Sequence, residues 1–217
     1  MNASLDHRRL SRAASYAELA ALPPNLVGEI IDGTLHAQPR PSVRHTLANA
    51  SMQIDLGSAF HRGRGGPGGW WILVEPEVHL GGHVVVPDLA GWRRERMPRL
   101  DAEAHFRIAP DWVCEVLSPS TSRRDRTVKM RVYAEAGVPF CWLVDPGLRT
   151  LEAYALVESA RWRREGAWGG EERFRAPPFD AVEFELSGWW APAEGDHEPA
   201  EGEDEPAEAP PAPPSGG

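Results

Sequence analysis

Residues 111–145 read DWVCEVLSPSTSRRDRTVKMRVYAEAGVPFCWLVD, and the order of patterns inside this stretch decides the fold. WVCEVL is a short, nearly continuous apolar run, which suits a strand buried on both faces. Ser118-Pro119-Ser120-Thr121-Ser122 makes a turn and a helix start. The helix expected from about Arg124 to Ala136 ends at Gly137, a residue that tolerates the left-handed backbone of a helix C-terminus. PFCWLVD then begins a second buried strand. Strand, helix and strand within about 35 residues form a crossover unit whose strands are parallel and whose hand is right. The frame is therefore an α/β sheet.

Working outward, WWILVEPEVHL (70–80) and HVVVPDLAGW (83–92), joined by Gly81-Gly82, predict two long paired strands. Upstream, Ser15 and Glu18 have capping-box spacing ahead of a short helix that Pro23-Pro24 ends. VGEII and TLHAQ flank Asp32-Gly33, a residue pair suited to a tight hairpin turn. Ser42 caps a second helix, with Val43, Leu47, Ala50, Ile54 and Leu56 as its expected apolar face, until the run Gly63 to Gly69 breaks it. Downstream, LEAYALV, RWRRE and VEFEL add weaker strands, so the sheet is of mixed direction and flanked by helices.

The chain has 217 residues and a net charge of −9. Eight of its carboxylates lie in residues 193–217, which contain no Lys or Arg, so the rest of the chain carries −1. That tail also holds six Pro and four Gly and nothing apolar larger than Ala, and such a composition cannot offset the entropy of ordering. The expected organisation is a flexible N-terminus over 1–14, one domain over 15–192, and a disordered, acidic, Pro-rich tail over 193–217. The tail is either a solubilising extension or an acidic mimic of nucleic acid. A near-neutral body does not exclude an anionic partner. Cys114 and Cys141 both sit in apolar runs, where a free thiol behaves as a small hydrophobe. A reduced, cytoplasmic protein follows from that usage. The first residues lack an apolar core of signal-peptide length, and no stretch approaches the roughly 18 apolar residues of a membrane span.

Carboxylates inside apolar runs carry the chemistry, because a buried acid is costly unless it is paired, hydrogen-bonded or bound to a metal. Glu29 interrupts VGEII, Asp88 interrupts VVVPDLAGW and Glu115 interrupts WVCEVL. Each alone reads equally well as a solvent-facing acid on a half-exposed strand. Together, Asp88 and Glu115 on neighbouring strands form a hard oxygen donor pair that suits Mg2+ or Mn2+. Pro110-Asp111 is a rival to Pro87-Asp88, but it lies on the same strand as Glu115 and reads as that strand's start. Of 23 basic residues, 22 are Arg, and the single lysine is Lys129. Asp125, Lys129 and Tyr133 recur at four-residue spacing, on one ridge of the helix after Glu115. An ammonium is a compact point charge whose pKa responds to burial, and a guanidinium is not its equivalent. The bland reading is a surface pair between Asp125 and Lys129.

VGEIIDGTL, His45 early in a helix, VVVPDL, CEVLSPST and RRDRTVKMRVYAEAGVPFCWLVDP follow one another in an order that resembles the Uma-two family of restriction-endonuclease-like nucleases, in the PD-(D/E)xK superfamily. The likeness runs from about Tyr16 to Trp190. It implies a restriction-endonuclease-like mixed β-sheet, with Asp88 and Glu115 as metal ligands and Glu29 completing or orienting the metal site. The ordinary superfamily pattern sets a lysine two residues after Glu115, where this chain has Leu117; the family likeness transfers that role to Lys129. His45 and Asp125 match family positions, and Tyr133 joins them as a supporting residue.

The function implied is hydrolysis of nucleic-acid phosphodiester bonds, DNA in preference to RNA, by a metal-dependent endonuclease acting as a homodimer. Its alternatives are a catalytically inactive nucleic-acid-binding or regulatory module that keeps the nuclease fold, and a structural partner whose acidic tail docks elsewhere. Phosphate neutralisation needs basic residues. Arg93, Arg94, Arg96 and Arg99 after the Asp88 strand, with Arg123, Arg124 and Arg126 before Lys129, are the expected contacts, both groups one loop from the metal. A Gly-x-Ser-x-Gly elbow is missing, which speaks against a Ser-His-Asp hydrolase.

Overall fold

The computed structural model describes residues 13–100 and 102–192; the expectations for the first twelve residues and for the tail 193–217 lie outside the described residues. Ala14 is already tied down, its N–H donating to the Gly33 carbonyl at 2.7 Å. The capping box of Ser15 and Glu18 starts α1 (Tyr16–Ala20). The Asp32-Gly33 turn joins β1 (Leu26–Ile31) to β2 (Thr34–Pro39) in register, both turn residues taking positive φ. Ser42 caps α2 (Val43–Leu56), accepting from the His45 N–H.

The two long runs do pair, but each is broken in the middle, contrary to the expectation of continuous strands. Residues 70–80 split into β3 (Trp70–Val74) and β4 (Val78–Leu80), and residues 83–93 into β5 (His83–Val85) and β6 (Leu89–Arg93). Pro76 and Pro87 stand at the breaks, where neither has an N–H to give to a ladder. Glu75 at the corner takes φ 45°. The inner halves join a four-stranded sheet of order β2-β1-β5-β4, while β3 and β6 belong to a larger sheet. Residues 86–88 therefore pass between two sheets, with backbone groups free to bond to side chains.

The larger sheet has order β10-β9-β8-β7-β6-β3. Its centre is the predicted crossover: β7 (Trp112–Val116) pairs parallel with β8 (Phe140–Asp145), and every other pairing in this sheet is antiparallel. β9 (Thr150–Val157) and β10 (Arg161–Gly169) form the far edge. The third expected downstream strand, VEFEL, shrinks to β12 (Phe184–Glu185), paired with β11 (Arg173–Phe174).

All five residues of β7 are buried, and they alternate between two cores. Trp112, Cys114 and Val116 face Met52 and Leu56 of α2 together with Trp142, Phe179 and Trp189. Val113 and Leu117 face the opposite side with Cys141, Leu143 and Tyr133. By that period of two, Glu115 projects into the second core. The crossover helix consists of Ser122–Arg124, Asp125–Lys129 and Met130–Glu135 without interruption, together α3, and closes at Gly137 with φ 74°.

The face of α2 differs from the expected one. His45, Ala48, Asn49, Met52 and Leu56 are buried, whereas Val43 and Ile54 are 84% and 67% exposed and Leu47 and Ala50 face solvent with them. Both sets fit helical spacing. Burial went to the face on which Ala48, Met52 and Leu56 join the core and His45 meets Asp88.

Candidate active site

Glu29, Asp88, Glu115 and Lys129 come from β1, the inter-sheet crossing, β7 and α3, and tertiary folding brings them to one place. Lys129, 2% exposed, sets its Nζ 2.8 Å from Glu29 Oε1 and 2.8 Å from Glu115 Oε1. It also donates to the Val86 carbonyl at 3.2 Å. An ammonium has three protons, and all three are used here. The Val86 N–H in turn donates to Glu29 Oε1 at 3.0 Å. The proline that removed residues 86–88 from the ladder thus left the backbone of one residue, Val86, to bind both an acid and its counter-charge.

Tyr133 donates its hydroxyl to Glu115 Oε1, and Asp125 lines the same cavity as Lys129. The common ridge of Asp125, Lys129 and Tyr133 has a local cause. In a regular α-helix, eight residues drift about 80° around the axis. The segment Asp125–Lys129 instead makes a π-turn, with the Met130 N–H reaching back to the Asp125 carbonyl, and this wider turn takes up much of the drift. Asp88 is held from both sides: Oδ1 lies 2.7 Å from His45 Nε2, and Oδ2 accepts from the Val116 N–H at 2.7 Å.

A cavity of about 250 Å3 opens onto Asp88, Glu115, Asp125, Lys129 and His45. Glu29 and Tyr133 do not line it; they stand behind Lys129 and Glu115. Four carboxylates crowd one lysine and one half-buried arginine, Arg124, whose Nη2 is 3.6 Å from Glu29 Oε2 and 2.6 Å from Gln38 Oε1. Burial pushes the Glu115 carboxyl well above the usual range, against the pull of Lys129, and repulsion from Asp125, Asp88 and Glu29 adds to the rise. Burial likewise raises Asp125. Burial would also raise Glu29, but Lys129, the Val86 N–H and Arg124 outweigh it and hold that acid low. For Lys129 burial alone would favour the neutral amine, yet Glu115, Glu29 and Asp125 together keep it charged, above an ordinary lysine. The cluster is a buried excess of negative charge with oxygen donors facing a cavity. That is a donor set suited to a hard divalent cation.

The expected arginine contacts divide. Arg93 and Arg94 close the far end of β6, five residues beyond Asp88 or about 16 Å at strand rise. Arg94 donates to the Trp70 and His61 carbonyls at 3.1 and 2.8 Å and lies over the Trp71 ring. Arg96 pairs with Asp111 at 3.2 Å. Arg94 and Arg96 are thus engaged with structure at that end of the strand. Asp111, the rival acid, also accepts from the Arg93 N–H at 2.8 Å and so secures the opposite end of β7. Of the second group, Arg124 turns to Glu29 and Gln38 beside the cavity, Arg123 is exposed and Arg126 turns away to Glu152 on β9. The sequence reading missed Gln38, Arg40, Ser42 and the Ser118–Thr121 turn, all of which line the cavity. The only signal was their position beside β2, α2 and α3.

The sequence profile of the Uma2 family, described as "Putative restriction endonuclease", matches residues 13–187. The chain belongs to this family. No curated protein matches it. Among solved structures, a putative nuclease belonging to DUF820 from Anabaena variabilis superposes on this Uma2 member with a TM-score of 0.66 and 23% identity. The superposition covers 81% of this chain and 97% of that one. Both findings agree with the restriction-endonuclease-like mixed sheet. Among the described residues, no helix of this Uma2 chain is long and apolar enough to cross a membrane, and both cysteines are buried free thiols.

Proposed function

We propose that the chain is a divalent-cation-dependent endonuclease that hydrolyses DNA in the cytoplasm. The observation that carries this reading is the meeting of Asp88, Glu115 and Lys129 on the wall of an open cavity, with Glu29 behind the lysine, within a nuclease family. Asp88 and Glu115 are the residues that would hold Mg2+ or Mn2+, which when bound stabilises charge developing on the phosphate and lowers the pKa of the attacking water. His45 fixes Asp88 through its Nε2, and the Val116 N–H fixes the other oxygen. Lys129 stays protonated and so serves as an electrostatic residue rather than a base: it offsets Glu115 and Glu29 and favours the approach of a phosphate. Glu29 positions Lys129 from behind. Arg40, Arg123 and Arg124 stand at or beside the cleft and supply phosphate contacts.

Cutting both strands of a duplex calls for two such sites, so the active form is a homodimer. The exposed stripe of Val43, Leu47, Ala50 and Ile54 beside the cleft is the surface we assign to the second copy. Light scattering of wild type and of Val43→Asp/Ile54→Asp tests it; a monomer in wild type refutes the assignment. The activity test incubates supercoiled plasmid, single-stranded DNA and RNA with the full chain, in Mg2+, Mn2+ or EDTA, beside Asp88→Asn. Cation-dependent cleavage of DNA that the variant lacks supports the reading. Equal cleavage by the variant or in EDTA refutes it, as does an absence of cleavage under every condition.

A further inference from the structure

On the small sheet, a second constellation has a different donor chemistry. Glu77 and His79 flank the start of β4, and His105 comes from the segment between β6 and β7. One ligand-capable atom from each of the three lies within 4.8 Å of the others. Their side chains are 23%, 19% and 16% exposed, so they are sheltered but reachable. His79 Nε2 is 2.7 Å from Glu77 Oε1, which also accepts from the Tyr16 hydroxyl at 2.9 Å. The two imidazoles stack with centroids 4.0 Å apart. Glu103 Oε2 lies 3.3 Å from His105 Nε2, outside hydrogen-bonding geometry, so that buried nitrogen has no hydrogen-bond partner among the described residues.

We infer that Glu77, His79 and His105, with Glu103 within reach as a fourth ligand, form a binding site for Zn2+. Two imidazoles and one or two carboxylates suit a borderline-soft cation that takes four ligands at about 2.0–2.2 Å. Such bonds set neighbouring ligand atoms about 3.3 Å apart, so side-chain rotation has to close the present spacing by no more than about 1.5 Å. Zn2+ takes the position between His79 Nε2 and Glu77 Oε1, with the His79 proton carried on Nδ1. The unpartnered nitrogen of His105 gains a ligand bond. The all-carboxylate cluster at Asp88 and Glu115 lacks this nitrogen pair and selects harder cations, so the two sites divide by donor type.

The site has a structural consequence. Residue 106 meets the small sheet through one isolated bridge, Val78 to Phe106, with hydrogen bonds from the His79 N–H to the Phe106 carbonyl and from the Phe106 N–H to the Glu77 carbonyl, both 2.8 Å. Bound Zn2+ clips this segment to β4, and through the Tyr16 to Glu77 bond it extends the tie to α1. The clip thus ties three chain segments to one another at the β4 edge of the small sheet.

The test is calorimetric titration of the metal-stripped full chain with ZnCl2, paired with visible absorption on adding CoCl2. Wild type is expected to bind one Zn2+ at this site and to give the d–d bands of four- or five-coordinate Co2+. His79→Gln and His105→Gln should each lose about 100-fold in affinity or more, exceeding the effect of removing an outer-shell partner. Asp88→Asn and Glu115→Gln should retain it, which separates this site from the nuclease reading. Failure of either histidine variant to fold leaves a mutation-free measurement: in wild type, Zn2+ must shift the imidazole 15N resonances of His79 and His105. Unshifted resonances at saturating Zn2+, undiminished affinity in the folded histidine variants, or no binding by wild type would overturn the inference.

Discussion

Replacing Lys129 by Met keeps most of the side-chain volume and removes the ammonium, leaving Glu29 and Glu115 buried without the charge that now sits 2.8 Å from each. Breaking a buried pair by removing one partner costs about 3–5 kcal/mol when the remaining charge has to stay. The alternative is protonation. Glu115 accepts a proton readily, because its carboxyl is already pushed up by burial. Glu29 does not, since it is held low chiefly by Lys129 itself. Neutralising a carboxyl of ordinary pKa near 4.3 at pH 7 costs about 4 kcal/mol, so both routes converge on a loss of about 3–5 kcal/mol. For a domain of this size that lowers Tm by about 6–20 °C. Thermal and guanidinium unfolding followed by circular dichroism at pH 7 in EDTA measures it.

The sign with pH follows from the same pair. In wild type Glu29 is lowered, so its contribution is present above the ordinary carboxylate range and is lost as pH falls through the lowered value. In Lys129→Met its folded pKa rises instead, so the variant gains stability on acidification. The gap between the two proteins therefore narrows toward pH 5. Glu29→Gln/Lys129→Met should recover much of the loss, because the stranded charge is gone. A Tm for Lys129→Met within about 2 °C of wild type at pH 7 refutes the claim that Lys129 neutralises buried acids. Loss of cleavage in a Lys129 variant therefore has two causes to separate, the missing ammonium and the weakened fold.

Asp88→Asn should lower cleavage by at least about 100-fold with little change in Tm, since the amide oxygen can still accept from the Val116 N–H; turnover of plasmid and a melting curve check it. Glu115→Gln should abolish cleavage yet cost no stability in EDTA. The raised folded pKa of Glu115 makes wild-type stability fall as pH rises above the ordinary carboxylate value, so the difference between the two proteins should grow as pH rises from there. Arg40→Ala/Arg124→Ala should weaken DNA binding and reduce the salt slope by about 0.9 for each lost phosphate contact, read from titrations at several NaCl concentrations. Arg94→Ala should leave that slope unchanged and destabilise the fold by about 1–3 kcal/mol, because its bonds go to the Trp70 and His61 carbonyls.

Elements whose pattern is local were legible in the chain itself. The parallel unit of β7, α3 and β8, the Asp32-Gly33 hairpin and both N-caps follow from apolar run length, a turn pair and a capping residue. Lys129 stood out because every other basic residue is Arg, and Glu29, Asp88 and Glu115 because each interrupts an apolar run. The α2 face misled for a physical reason. Two sets of residues satisfy helical spacing, and the buried one contains His45 and Asn49, whose polarity hides it until the partner of His45, 43 residues away, is known. The distance of the arginines after β6 was not legible in the same way, since five residues of separation from Asp88 become about 16 Å when the intervening residues form a strand.

The sequence by itself determined the order of the main strands and helices, which acids interrupt apolar runs and which single ammonium could answer them, because those properties depend on composition and short-range periodicity. Only the tertiary structure decided that the prolines at 76 and 87 divide one hairpin between two sheets, which frees the N–H and the carbonyl of Val86 to hold Glu29 and Lys129 together. Only it set Glu29 behind the lysine rather than in the cavity, and only it brought Glu77, His79 and His105 to one spot. Those outcomes depend on which distant backbone and side-chain groups compete for the same partner, and that competition is settled by packing rather than by any local pattern.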